Sequence, residues 1–388
     1  MASALSGLSE PEHYYKSNKL IYRFVFLMSA LGKSAFLQMD QIGRFQRWRR
    51  LFRIDQFSDK RLRHCVVSDT TIVDRLRLMD HGEIAQIGYE ALSAGLSQGF
   101  IQPIAIIDGS YQGGQFWSWL GFVSIYGDIF IVDNEPISGK GKELVASRRL
   151  LERFCEKMGK GVIDLLLADM LYFNEGFWQL RQDGYMKDFL VKYTPDPERK
   201  FDDAYRIVLQ RFEALVELYE KPDKSKRDRL QLYHMGVRDE SGYDETRRVD
   251  YQIYSADQNS WDSRFKIARV FERYVKTGEQ QCFYVITTRK SLSANRMREL
   301  GHNRWYIEND GFKMLNAHVK SKRIWNKDVK VLANLTLIWA LAFSLLWLFR
   351  RRYDHIIRKH FNAVKLTLQF TAEILEQESF GRMIFDSS

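Results

Sequence analysis

The spacing of apolar residues changes along the chain, and each change marks a different kind of element. Between residues 20 and 100 apolar positions recur at helical intervals, and Ser68-Asp69-Thr70 stands where it would cap a helix through Ile72, Leu76 and Met79. This stretch reads as mainly helical. From Ile101 short apolar runs take over: Pro103 to Ile107, Trp117 to Ile125 and Ile129 to Val132, separated by Gly and Asp, which predict neighbouring strands. A helix rich in Leu, Arg and Glu follows from about Glu143 to Met158, and then a buried-strand run from Val162 to Ala168. The order strand, strand, strand, helix, strand predicts a mixed α/β sheet.

Dense charge interrupts this pattern over residues 195 to about 265, notably in Lys221-Pro222-Asp223-Lys224-Ser225-Lys226-Arg227-Asp228-Arg229, and alternation returns at Val249 to Tyr254. The segment reads as a partly β insertion. Cys282 to Thr287 restores the strand texture, and Asn303 onward reads as helical to the end. The predicted organisation is a helical N-terminal region over 1–100, an α/β domain over 101–194, a β-containing insertion over 195–274, and the rest of the α/β domain with C-terminal helices over 275–388. Within the last part, Val331 to Phe349 is almost continuously apolar and nearly long enough to span a bilayer. Asn334, Thr336 and Ser344 dilute the run and it stands alone, so a buried core helix is the favoured reading over a membrane anchor.

At 388 residues the chain exceeds what one hydrophobic core usually serves, which fits a domain with an insertion. A formal charge of +10 suits a polyanionic partner. The clearest basic stretch is Arg44-Phe45-Gln46-Arg47-Trp48-Arg49-Arg50-Leu51-Phe52-Arg53, where cations alternate with rings. Arg47, Arg49, Arg50 and Arg53 are therefore expected to contact DNA, with counterion release as the physical gain; a solvated basic helix is the alternative. Cys65, Cys155 and Cys282 lie far apart with no CxxC or Cys/His spacing, which argues against a structural zinc site and against a disulfide framework and fits a reducing cytoplasm. The N-terminal residues lack the cationic start and apolar run of a secretory signal.

The candidate chemistry is acidic. Asp108 follows Ile104-Ala105-Ile106-Ile107 and Asp169 follows Leu165-Leu166-Leu167-Ala168, so both terminate apolar strands. The carboxyl ends of strands in an open α/β sheet form the crevice where ligands bind, and two such acids could share one site. Either residue seen alone reads more readily as a turn or helix-capping Asp. Glu308 lies four residues after Arg304, a spacing that places both on one helical face and by itself describes an ordinary ion pair.

Taken in order, Ser68-Asp69-Thr70-Thr71, Ile106-Ile107-Asp108-Gly109-Ser110, Ala168-Asp169-Met170-Leu171-Tyr172 and Arg304-Trp305-Tyr306-Ile307-Glu308-Asn309 resemble the DDE transposases of bacterial insertion sequences, specifically the insertion-sequence-four-like group. The final motif of that group runs Tyr, two residues, Arg, three residues, Glu, six residues, Lys. This chain keeps Arg304 and Glu308 but has Gly301 and Leu315 at the outer positions, with Lys313 and Lys320 near enough to substitute. The resemblance implies an RNase H-like catalytic domain with a partly β insertion, preceded by a helical DNA-binding domain. It implies Asp108, Asp169 and Glu308 as catalytic metal ligands for two Mg²⁺ ions, with Mn²⁺ as substitute, since hard divalent ions prefer oxygen donors. It also implies strand cleavage and strand transfer on element ends and target DNA by a cytoplasmic, nucleoid-associated dimer that is no membrane protein. Arg304, Lys313 and Lys320 become phosphate contacts.

Other chemistries lack their signatures. Lys140 and Lys142 form a basic loop without a P-loop, His302 and His318 lack zinc-hydrolase spacing, and no G-x-S-x-G occurs. Trp305 and Tyr306 are expected to pack in the core rather than stack on a base. A nuclease of the same fold without strand transfer and a catalytically silent DNA-binding protein remain the alternatives.

Overall fold

A computed structural model of the chain describes residues 8–9, 16–33, 35–195, 203–257 and 264–352. The helical expectation beyond residue 352 and residues 1–7 and 10–15 of the N-terminal stretch read as lacking a secretory signal lie outside the described residues. The chain forms two compact units, each discontinuous in sequence. A helical unit comprises Met1–Gln102, Gly109–Met158 and Ile307–Ser388; a sheet unit comprises Pro103–Asp108 and Gly159–Tyr306.

The helical unit contains α1 (Asn18–Ala30), α2 (Phe36–Gly43), α3 (Gln46–Leu51), α4 (Asp69–Leu78) and α5 (His81–Ser97). Side-chain caps set several of their starts: the Ser68 hydroxyl accepts the Thr71 N–H at 3.3 Å, and the Asp80 carboxylate accepts the Glu83 N–H at 3.2 Å. Strand β1 (Ile101–Gln112) ends in this unit and turns into β2 (Gln115–Ser124), which pairs antiparallel with β3 (Ile129–Pro136). The two-residue turn is Gly113-Gly114, with φ of 66° and 96°, a left-handed pair that glycine adopts without steric cost. Helix α6 (Glu143–Met158) packs on β2 and β3, and the last helix, α12 (Val329–Arg352), packs on β3, α1, α4 and α5.

Helix α12 contains the long apolar run. Its stretch Val329–Leu348 is long and apolar enough to cross a membrane by length and composition, yet 78% of its apolar window is buried inside the protein. The three polar residues that dilute the run are each used. Asn334 donates to the Leu76 and Met79 carbonyls at 2.7 and 3.0 Å, Thr336 accepts from Asn134 at 2.9 Å, and Ser344 accepts the Ile131 N–H at 3.0 Å. At the far end Arg351 and Trp347 both reach the Asp128 carboxylate, at 3.0 and 2.9 Å. Polar residues in this helix thus satisfy backbone groups and side chains of its neighbours, which would otherwise be buried at a cost.

One carboxylate ties these layers together. Asp133 on β3 is fully buried and accepts from Arg153 of α6 at 3.0 Å, from the Tyr89 hydroxyl of α5, and from His81 at 3.2 Å. The other imidazole nitrogen of His81 lies 3.0 Å from Asn334 of α12, so the network links α5, α6, α12 and β3. Burial pushes the Asp133 carboxyl up, but the His81 hydrogen bond and the Arg153 guanidinium prevail and hold it below the usual carboxylate range.

The sheet unit takes the first part of β1 and adds β4 (Leu165–Asp169), β5 (Asp188–Tyr193), β6 (Arg238–Asp244), β7 (Val249–Ala256), β8 (Lys266–Tyr274) and β9 (Gln280–Thr287), in the order β1-β4-β5-β9-β8-β7-β6. The β1–β4 and β4–β5 pairs are parallel and the rest antiparallel. The expected β insertion therefore continues the same sheet through β6 to β8, after helices α8 (Asp203–Glu220) and α9 (Lys226–His234). Helix α7 (Glu175–Gln182) follows β4, and α10 (Ala294–Asn303) follows β9, capped where Ser293 accepts the Arg296 N–H at 3.2 Å. These elements give a mixed α/β architecture with a helical N-terminal region.

Removing the central acid of the helical unit tests its role. Asp133→Ala is expected to lose about 3–5 kcal/mol, the cost of stripping one partner from a buried ion pair, read as a lower urea midpoint. The depressed carboxyl contributes stability that is complete above the unfolded value near pH ~3.9 and is lost as pH falls through the folded value.

Candidate active site

The register of three adjacent parallel strands builds the site. Ile104, Ala105 and Ile106 of β1 pair with Leu165, Leu166 and Leu167 of β4. Carried on by two residues, that register sets Asp108 opposite Asp169, and Asp169 in turn pairs with Lys192 of β5. Residues paired across parallel strands point to the same face, so Asp108, Asp169 and Lys192 form one row across strands spaced about 4.7–4.9 Å apart. The row lies at the carboxyl ends of β4 and β5, where open α/β sheets bind ligands, whereas β1, expected to end at Asp108, runs on to Gln112 because its last residues continue into the hairpin with β2. Asp108 is buried and Asp169 half-buried, and Asp169 also caps the turn that follows, its carboxylate accepting the Leu171 N–H at 2.8 Å.

Helix α10 covers this face and delivers Arg304. Gly301 lets it approach closely: a Cβ there would lie 2.9 Å from the Val285 side chain on β9. The helix is fastened by a buried charge cluster in which Arg298 donates to Glu272 of β8 at 2.6 Å and to Asp244 at 3.0 Å, while His302 lies 2.8 Å from Glu272. Arg304 follows the helix end, and its guanidinium stands 3.5 Å from the Asp108 carboxylate. The helix expected to run on from Arg304 to Glu308 breaks here: Arg304 and Trp305 form a turn, and Glu308 lies in a separate π-helical segment, Ile307–Lys313, of the helical unit. Arg304 is 8% exposed. Trp305, expected in the core, is 40% exposed.

Two features are absent from the sequence reading. Lys192 is one; the signal for it was a lone cation inside the apolar run Phe189-Leu190-Val191-Lys192-Tyr193. Glu143, the first residue of α6, is the other. Within the helical unit its carboxylate rests against the Cα of Gly109, the residue after Asp108, so that a Cβ on Gly109 would fall 2.7 Å from it. No sequence pattern links residues 109 and 143; only the packing of α6 does.

Of the expected DNA contacts, Arg47, Arg50 and Arg53 are exposed on and just after α3, and Phe45 beside them is 64% exposed. Arg49 is half-buried, donating to the Arg63 carbonyl at 2.9 Å and lying 3.7 Å from Asp55, and Trp48 is buried. Lys313 and Lys320 are exposed; Lys313 donates to Asn309, and Lys320 closes α11 (Met314–Val319) in the left-handed conformation with φ 53°. Among the described residues no group of three or more His, Cys, Asp or Glu side chains is gathered so as to hold a metal ion. No protein-family model matches the chain, and no curated protein matches its sequence.

The cluster beneath α10 makes the support of Arg304 sensitive to pH. Burial pushes the His302 imidazole below its ordinary value; burial raises the Glu272 carboxyl, but the His302 hydrogen bond and the Arg298 guanidinium outweigh this and hold it low. Both groups bind protons more readily in the unfolded chain, so stability falls as pH drops below about 6.5, the unfolded histidine value. Urea midpoints at several pH values should show that decline, and His302→Gln should flatten its upper part. Gly109→Ala should displace only the Glu143 carboxylate, the far end of a flexible side chain, and so leave the thermal midpoint nearly unchanged, within about 0.5 kcal/mol.

Proposed function

We propose that this chain is a transposase of the DDE type, cutting DNA strands and joining the freed ends to a target. The observation that carries the reading is the parallel pairing of β1 with β4 up to Ile106–Leu167, a register that, carried on by two residues, brings Asp108 level with Asp169 at the carboxyl end of β4. The order of the sequence motifs supports the same reading, and the third acid the resemblance implies is Glu308. Two carboxylates with oxygen-only donors suit Mg²⁺, which characteristically takes one or two carboxylates and completes its shell with water and substrate phosphate. When bound, a pair of such ions supplies charge for the attacking and leaving oxygens of an in-line displacement at phosphorus.

The chain's own residues have separable roles in this proposal. Asp108 and Asp169 supply the ligands, and Arg304 balances Asp108 and fixes its orientation. Trp305 offers an exposed ring beside them on which an unpaired base could stack. Arg47, Arg50 and Arg53, with Lys313 and Lys320, present cations to the DNA backbone. Arg49 has a structural role in holding the segment that displays them.

The ion pair between Arg304 and Asp108 also favours a second reading, a protein that binds DNA without cutting it, because one of the two aspartates already faces a permanent cation. Cleavage and joining of DNA carrying the adjacent element ends, measured with Mg²⁺, separates the readings. Asp108→Asn, Asp169→Asn and Glu308→Gln should each lower both products by roughly 100-fold or more, as expected from the loss of several kcal/mol of charge stabilisation. DNA binding should survive in all three. Cleavage without joining would mark a nuclease, and binding without either product would establish the silent DNA-binding protein. Replacing Arg47, Arg50 and Arg53 together by Ala should weaken DNA binding at every sequence. The slope of log affinity against log salt should become shallower by about 0.9 for each phosphate no longer neutralised.

A further inference from the structure

Lys192 lies in the row of site residues without a part in the proposed chemistry. It is 4% exposed, and its ammonium group stands 4.0 Å from the centroid of the Phe283 ring and 4.6 Å from that of Trp305. Along β5 its neighbours Val191 and Tyr193 are buried, so the cation is inside the unit and not at its margin. Burying an ammonium ion is costly unless negative charge or hydrogen bonds compensate. The two aromatic faces compensate in part. Further compensation is at hand in the same row, since Asp169 pairs in register with Lys192 and the β1–β4 register, carried on by two residues, brings Asp108 level with Asp169.

The need is mutual. Two carboxylates held at strand spacing repel each other, and Arg304 stands at the Asp108 end of the row, 3.5 Å from that carboxylate. We propose that Lys192 is the internal counter-cation of the Asp108–Asp169 pair, and that a divalent ion entering the site competes with it for the carboxylates. Trp305 then serves two ends at once: its ring is a wall of the lysine's cage, and its backbone follows directly on Arg304. The competition rests on the metal site of the proposed function; the counter-cation role does not.

A double-mutant cycle on the full chain, joined to Mn²⁺ titration followed by electron paramagnetic resonance, separates the two. Asp169→Asn and Lys192→Met should each lower stability, and the double variant should lose clearly less than the two losses added together. Lys192→Met should bind Mn²⁺ roughly tenfold or more tightly than the wild type because a nearby positive charge is gone, and Lys192→Arg should restore the wild-type affinity. Additive losses would overturn the counter-cation role. Coupling accompanied by unchanged or weaker Mn²⁺ affinity in Lys192→Met would overturn the competition. Absence of Mn²⁺ binding in every variant would overturn the competition together with the metal site, while the cycle still decides the role of Lys192. Should Lys192→Met fail to fold, Lys192→Gln takes its place in both measurements.

Discussion

The fixed register of β1, β4 and β5 is the constraint on which the site depends. Side chains alternate faces along a strand, so a slip of one residue would send Asp108 or Asp169 to the opposite side of the sheet. The register is held by apolar burial on both faces, since Ile106, Ile107, Leu166, Leu167, Leu190 and Val191 are all buried. Thr287 and Thr288 add to this at β5, bonding the Phe189 carbonyl at 2.9 Å and the Phe189 N–H at 3.1 Å. The carboxylates are thus placed by strands that have little freedom to move, which is the condition for holding like charges close together.

Each unit also contains a buried acid that organises helices, and the two are built alike. Asp133 gathers donors from α5 and α6 in the helical unit, while Glu272 gathers Arg298 and His302 from successive turns of α10 in the sheet unit. A buried charge of this kind adds little net stability relative to a well-packed apolar group, but removing one partner is severe, so it specifies which elements meet. Geometry distinguishes these acids from Asp108. Arg298 approaches Glu272 at 2.6 Å, whereas Arg304 approaches Asp108 at 3.5 Å, beyond ordinary hydrogen-bond length.

Helix α12 shows how an apolar run acquires its meaning from its surroundings. By composition alone it satisfies the criteria for a membrane span. Its neighbours in the fold supply what a lipid could not: carbonyls of α4 and the turn after it for Asn334, a side-chain amide of β3 for Thr336 and a backbone N–H of β3 for Ser344.

Much of the local structure is legible in the sequence because it depends on short-range chemistry. The helix from Glu143 to Met158, the cap at Ser68, the hairpin strands and the aspartate that ends β4 follow from periodicity, capping side chains and apolar runs, whereas Asp108 lies inside β1. The strands β5 and β8 are not, because Lys192 and the charged residues of Lys266–Tyr274 disguise them, and their burial depends on partners far away in sequence. Nor could spacing reveal that Arg304 meets Asp108, that Glu143 rests on Gly109, or that Lys192 joins the aspartates in one row. Those relations are set by strand register and helix packing, where residues tens to hundreds of positions apart are brought within a few ångströms. Local patterning determined where most strands and helices form; tertiary structure alone decided how far β1 runs beyond Asp108 and what each charge faces.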